Sequence, residues 1–315
     1  MSGTEGGDRA AGEGGGAEEH RAGFCALVGL PNVGKSTLLN RLVGEPLAVV
    51  TPKPQTTRRR LRGIWTGEGA QAIFVDTPGR LDPRYPLQEA MRAEADRVAA
   101  DADVLIHVVD AGYPPSVEAA LGGPPATGPP ALVCLNKADR VEEEELARIE
   151  EALAEAGWTT VVPAIATEGR GVERLRREAV RLLPPSPPLY PADQLATDPV
   201  RAFVASFVRE ACFRQLAEEV PYSVAVEVEQ FREEEDPLYV SASVYVERDS
   251  QKGIVIGEGG RRIRAIGTAA RRRIEAFLER DVYLDLRVKV LHKWRKRRGK
   301  LARLGYRLPD EGGDR

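Results

Sequence analysis

The residues best suited to chemistry are grouped in four short strings. GLPNVGKS at 29–36 has the spacing GxxxxGK[ST], in which a glycine-rich loop opens a helix and its backbone N–H groups wrap phosphate oxygens. Within it Gly34 allows close approach of the chain, Lys35 reaches the β- and γ-phosphates, and the Ser36 hydroxyl suits Mg²⁺. The cradle comprises Gly29, Leu30, Pro31, Asn32, Val33, Gly34, Lys35 and Ser36, with Thr37 behind them. DTPG follows at 76–79: Asp76 is fit to hold Mg²⁺, Thr77 and Pro78 shape the turn, and the Gly79 N–H can meet a γ-phosphate. NKAD at 136–139 points to the base. Guanine presents two donors on one edge, which the Asp139 carboxylate can accept together, whereas adenine offers a lone pair there. Asn136 would brace that loop and Lys137 would cover the base. The fourth string, GEGG at 257–260, is a GxxG turn in a basic setting, which suits the backbone of single-stranded nucleic acid.

These groups need elements to carry them. Apolar runs FCALVGL, AIFVDTPG, DVLIHVVDA, ALVCLNKAD and TVVPAIA read as buried strands, with helical patterns at 35–43, 87–100, 142–156 and 171–183. Alternation of that kind predicts an α/β domain with a doubly wound, mostly parallel sheet. GGPPATGPP at 122–130 is a loop, and PPSPPLYP at 184–191 cannot continue a helix. Beyond it the order is helix, two strands, helix, GxxG, helix, strand and a basic tail helix from 292, which is an α+β domain. The expected divisions are a disordered tail over 1–22, a nucleotide domain over 23–183, a linker over 184–199, a nucleic-acid domain over 200–308 and a tail over 309–315.

Composition agrees with two domains: 315 residues, 42% apolar and 30% charged, are enough to bury cores and exclude a wholly disordered chain. No apolar run nears the roughly 18 residues of a membrane span. The glycine-rich, acidic start lacks the pattern of a secretory signal. Three well-separated cysteines (Cys25, Cys134, Cys212) argue against a disulfide scaffold or zinc site and for a cytoplasmic location. The net charge of −3 conceals an asymmetry, because residues 252–307 hold 18 Lys and Arg against 5 Asp and Glu. An acidic body with a basic end suggests a nucleic-acid partner, although an arginine-rich solvated surface has the same charge.

On the three nucleotide motifs, the first domain resembles the P-loop GTPases of the translation-factor-related class. The resemblance implies GTP and GDP as ligands with Mg²⁺, and Ala166 and Thr167 at the turn that meets the purine oxygen. The family's usual serine is Ile165 here. It also implies that PQTTRRR at 54–60 is a mobile switch in which Thr57 binds Mg²⁺ and senses the γ-phosphate; Thr56 is the alternative. Lys35, Thr57 and Gly79 then carry catalysis, and Ser36, Thr57 and Asp76 the metal. The glutamine that often orients water is Arg80 here, and no glutamine appears in 80–87. The subclass that lacks it relies on K⁺ beside an asparagine, and Asn32 stands in that place as either a K⁺ ligand or a turn residue.

The second domain resembles a bacterial-type KH domain, a clamp for single-stranded RNA. Lys252, Ile254, Ile256, Gly257, Glu258, Gly259, Gly260, Arg261 and Arg262 are its expected contacts, with Ile263 also under the bases. Glu258 departs from the usual lysine, so the stretch 293–300 is expected to supply compensating charge. EVPYSVAVEVEQF at 219–231, DVYLDLRVKV at 281–290, Trp294 and LGY at 304–306 extend the likeness, so that residues 22–308 resemble the Era family of bacterial GTPases. That resemblance implies a GTP-driven switch that binds the 3′ region of 16S rRNA during 30S subunit maturation. It further implies a monomer in the cytoplasm with peripheral contact to anionic membrane. The competing reading is a constitutive RNA-binding protein or RNA chaperone whose nucleotide site is structural.

Overall fold

The computed structural model describes residues 19–309. The outer parts of both expected tails, 1–18 and 310–315, lie outside the described residues. In the first half, β1 (Arg21–Val28), β3 (Ala70–Asp76), β4 (Val104–Asp110), β5 (Ala131–Asn136) and β6 (Val161–Ala164) run parallel. They are the five strands expected. β1 opens at Arg21, so the ordered domain starts two residues before the sequence pattern suggested. A sixth strand, β2 (Leu61–Gly67), was not anticipated; it pairs antiparallel with β3 through a two-residue Glu68–Gly69 turn in which Gly69 has φ 66°. The strand order is β2-β3-β1-β4-β5-β6.

Helices α1 (Lys35–Val43), α2 (Pro86–Ala100), α3 (Pro114–Ala120), α4 (Glu143–Glu155) and α5 (Val172–Leu182) cover the two faces. The core strands are apolar almost without alternation, as sheets buried on both faces require. Because β1 and β4 lead to helices on opposite faces, a crevice opens at the carboxyl ends of the strands, where such folds bind ligands. Cys25 and Cys134 lie in this core and Cys212 in the second domain, all as buried free thiols.

The second domain comprises α6 (Val200–Gln215), the single turn α7 (Val220–Ser223), β7 (Ala225–Arg232), β8 (Leu238–Val246), α8 (Asp249–Ile256), α9 (Arg261–Leu278), β9 (Val282–Val290) and α10 (Arg298–Arg303). β8 is central, antiparallel to β7 and parallel to β9. α9 repeats its buried residues Ile266, Ala270 and Ile274 at spacings of four, which sets one stripe against the sheet. The basic tail helix is shorter than expected, a 3₁₀ turn at Trp294–Lys296 followed by α10.

The proline-rich connection is strapped to the first domain. Gln71, fully buried, donates to the Tyr190 carbonyl (2.9 Å) and accepts from the Leu189 and Tyr190 amides (2.8 and 2.9 Å). The Ile64 amide donates to Leu195 O (2.8 Å) and the Arg62 amide to Asp198 (3.1 Å), so the segment covers the open edge of β2. Among the described residues no helix is long and apolar enough to cross a membrane.

Candidate functional site

Four loops converge at the carboxyl ends of β1, β3, β5 and β6. The turn after β1 is held tightly. Gly34 has φ 102°, and a Cβ there would lie 2.3 Å from Asn136 Nδ2. Gly29 would meet the Val108 carbonyl at 2.4 Å, so both positions demand glycine. Asn136 is the brace expected from the sequence: its Nδ2 donates to Val33 O (2.8 Å) and its Oδ1 accepts from the Ala166 amide (3.1 Å). The Ala166 N–H expected to meet the purine is thus turned to Asn136 here. Ile165 is buried, and Arg41 supplies bracing the missing serine cannot, donating to Ala166 O (3.1 Å) and Thr167 O (2.6 Å). Lys137 has φ 59° and its ammonium meets Asn32 O (2.6 Å) and Asp110 (2.5 Å). Asp139 is exposed on the following turn, at the rim of a cavity of about 190 Å³ with Ala166 and Thr167.

The phosphate side is a cleft of about 480 Å³ walled by the β1 loop, the switch segment and Gly79. Lys35 is buried, and its ammonium donates to Gly29 O (3.1 Å) and Leu30 O (2.9 Å). Burial lowers its pKa to about 8, with the Asp76 charge opposing the shift. Ser36 Oγ and Thr57 Oγ1 both donate to Asp76 Oδ2 (2.6 and 3.0 Å) and lie 2.9 Å apart. Asp76 Oδ1 is buried without a partner among the described residues, and burial raises the pKa of this carboxyl. Thr56 is turned away, bonded to Lys53 O (2.8 Å) and Thr51 (2.7 Å). Thr77 is anchored to Leu27 O (2.7 Å), and a Cβ on Gly79 would strike Pro31 at 2.6 Å. Pro78 is buried beside them. Arg80 pairs with Asp96 (3.5 Å) at the surface. Asn32 has φ 64°, a conformation that suits asparagine as a turn residue.

The switch segment continues into the second domain. Arg58 is 2% exposed and donates to Val224 O (2.7 Å) and Tyr222 O (2.8 Å), with its guanidinium 5.7 Å from the rings of both Phe213 and Trp294. Lys53 caps the end of α6 at Phe213 O and Leu216 O (both 2.5 Å). Arg295 pairs with Glu247 (2.5 Å) and Arg298 with Glu89 (3.5 Å). Part of the 293–300 stretch is therefore spent inside the molecule, contrary to the expectation that it faces RNA.

At the GxxG turn, Gly257, Gly259 and Gly260 have φ of 71°, 57° and 77°. Glu258 is ion-paired with Arg261, which offsets the carboxylate's charge but does not restore the positive charge of the usual lysine. Arg262 is bonded to Ile254 O (2.7 Å) and Arg264 to Gly259 O (2.7 Å), while Lys252 is exposed. An open groove of about 480 Å³ runs between α9 and β9, lined by Ile263, Arg264, Gly267, Arg271, Leu284 and Leu286. Ile263 lies in it as expected; Ile254 (42% exposed) and the half-buried Ile256 do not line it. Leu284 and Leu286 were missed, although the alternation of β9 marked them as one face.

The fold and site define a P-loop GTPase domain joined to a KH domain. Residues 24–137 match the family of 50S ribosome-binding GTPases and residues 219–295 the KH domain family. GTPase Era of Carboxydothermus hydrogenoformans is 41% identical over 294 residues, covering 91% of this chain and 98% of that protein. An Aquifex aeolicus Era variant bound to GDP and AlF₄⁻ superposes with a TM-score of 0.86 at 34% identity, over 91% of this chain and 100% of that one. Era in complex with MgGDPNP and nucleotides 1506–1542 of 16S ribosomal RNA gives the same score and identity, over 92% and 100%. The chain belongs to the Era family of GTPases.

Proposed function

We propose that the protein is a GTP-hydrolysing switch whose KH domain binds the 3′ region of 16S rRNA during 30S subunit maturation. The observation that carries this reading is the continuity of residues 57 and 58. Thr57 meets Ser36 and Asp76 in the phosphate cleft, and the next side chain, Arg58, is buried in the second domain. A γ-phosphate that orders Thr57 therefore also bears on the RNA-binding domain, which is what a switch requires. The solved Era complexes with GDP–AlF₄⁻ and with 16S RNA support the two halves of the reading.

In the nucleotide complex Lys35 exchanges its two carbonyl acceptors for β- and γ-phosphate oxygens, and the amides opening α1 cradle the β-phosphate. Ser36, Thr57 and Asp76 form the Mg²⁺ site, the unpartnered Asp76 Oδ1 being the buried acceptor that fits it. Mg²⁺ supplies positive charge to the β- and γ-oxygens when bound. Gly79 donates its N–H to the γ-phosphate, and Asp139 reads the guanine edge while Lys137 covers its face. K⁺ beside Asn32 would offset charge on the transferring phosphoryl group, so hydrolysis is faster in KCl than in NaCl of equal ionic strength. Lys252, Arg261 and the GxxG amides hold RNA phosphates, with Ile263, Leu284 and Leu286 under the bases. We place this monomer in the cytoplasm; contact with anionic membrane would have to use the cations of 293–300 left outside the ion pairs above.

The test is the affinity for the 3′ segment of 16S rRNA with GDP and with a non-hydrolysable GTP analogue. Different affinities are expected. Equal affinities would favour the constitutive RNA-binding protein instead.

A further inference from the structure

Behind the switch segment, on the side away from the nucleotide, the two domains enclose a cavity of about 330 Å³. Val49, Thr56 and Thr57 line both this cavity and the nucleotide cleft, so the switch segment is their common wall. The far wall is α6 and the C-terminal residues Leu304 and Tyr306. At one end Arg59 and Arg209 line the cavity with Tyr306, and Arg58 closes in behind them.

This end is unusually rich in uncompensated charge. Arg58 is satisfied by the carbonyls of Val224 and Tyr222, and Arg59 by that of Leu304 while its guanidinium stacks 4.8 Å from the Tyr306 ring. Arg209 has no hydrogen-bond or ion-pair partner among the described residues. Among the described residues none of the three is salt-bridged to a carboxylate. Burial, and after it the repulsion of Arg58 and Arg59, lower the Arg209 pKa to about 10, with Tyr306 and Cys212 opposing the shift. Burial alone would raise the Tyr306 phenol, but the charges of Arg58, Arg209 and Arg59 and a hydrogen bond from Arg58 outweigh it and lower its pKa. The carboxylates that line the cavity are taken up by other groups: Asp198 by the Arg62 amide, near Arg60, and Asp76 by Ser36 and Thr57. Placing the guanidiniums of Arg59 and Arg209 on one cavity, with Arg58 close by and only the Tyr306 phenol to offset them, is costly, and an oxyanion lowers that cost. A tetrahedral phosphate matches the forked donors of Arg better than a halide does.

We propose that Arg209, Arg59 and the Tyr306 hydroxyl form a second anion site, distinct from the nucleotide site, that takes inorganic phosphate and thereby clamps the switch segment against the KH domain. The phosphate has two sources: free phosphate, or the product of hydrolysis passing from one side of the switch wall to the other.

The protein is loaded with Mg²⁺ and a non-hydrolysable GTP analogue, so that the γ-phosphate position is filled, and radiolabelled inorganic phosphate is titrated by equilibrium dialysis. One phosphate per chain is expected, with affinity reduced at least about tenfold in Arg209→Gln and in Arg59→Gln, the loss of one charge-assisted contact. Arg209→Gln removes repulsion and breaks no hydrogen bond or ion pair among the described residues, so it is expected to fold. Its melting temperature in phosphate, measured against chloride of equal ionic strength, should rise less than that of wild type. No uptake by the loaded wild type, or uptake unchanged in both variants, would overturn the site. Single-turnover hydrolysis separates the sources. A lag between cleavage and phosphate release that is lost in Arg209→Gln identifies product phosphate, and release without a lag identifies free phosphate as the occupant detected by dialysis. These outcomes stand apart from the RNA-affinity test of the switch, because no RNA is present.

Discussion

Arg58→Ala should undock the switch segment from the KH domain while leaving both domains folded. The side chain donates two charge-assisted hydrogen bonds, to Val224 O at 2.7 Å and Tyr222 O at 2.8 Å, and lies between Phe213 and Trp294. Each such bond contributes about 1.5–3 kcal/mol net, and truncation leaves two carbonyls without their donor. Against that, the variant no longer buries a guanidinium whose Nε has no partner, and repulsion from Arg209 is relieved. The balance is a loss of about 3 kcal/mol in docking, roughly a hundredfold in the docked population. Hydrogen exchange on the analogue-loaded protein reads it directly. Amides of residues 47–60 should exchange up to about a hundredfold faster than in wild type, and those of the β4–β5 core should be unchanged. Arg58→Lys should fall between, because one ammonium cannot span both carbonyls as the planar fork does. Unchanged protection over 47–60 in Arg58→Ala would refute the reasoning, since the switch would then be held by the nucleotide side alone.

Asp139→Asn should cost about two orders of magnitude in GTP affinity, because both bonds to the guanine edge use a carboxylate, and should shift preference toward xanthine nucleotide; calorimetric titration with both nucleotides checks it. Gly259→Asp is expected to leave the fold intact, since no atom lies within 4 Å of a Cβ built there, but to weaken single-stranded RNA binding more than about tenfold in filter binding. Its φ of 57° makes a small cost in melting temperature part of the same expectation. His107 is half-buried, and that burial with the Arg80 charge pushes its pKa down to about 4. A folded pKa below the unfolded one means that only the unfolded chain takes up the proton between pH 6.5 and 4, so stability falls across that window as the solution is acidified. Thermal melts of wild type and His107→Gln from pH 7 to 4.5 should converge if this histidine carries the loss.

What could be read from the sequence was whatever depends on neighbours along the chain. A loop between a strand and a helix must be glycine where a Cβ has no room, and the spacing of Gly29, Gly34, Lys35 and Ser36 records that directly. The five parallel strands were legible because strands buried on both faces are continuous apolar runs. β2 escaped because it follows a run of arginines, and its apolar residues make sense only against β3. The roles of individual arginines were equally hidden. Arg58, Arg59 and Arg60 are identical in type and adjacent, yet one is buried in the KH domain, one stacks on Tyr306 and one pairs with Glu94. The choice between Thr56 and Thr57 had the same cause, since neighbouring hydroxyls differ only in which way the folded loop turns them. Local spacing determines which atoms are available to a ligand; which charges are spent within the molecule depends on the contact between two domains whose facing residues, such as Arg58 and Val224, are more than a hundred positions apart.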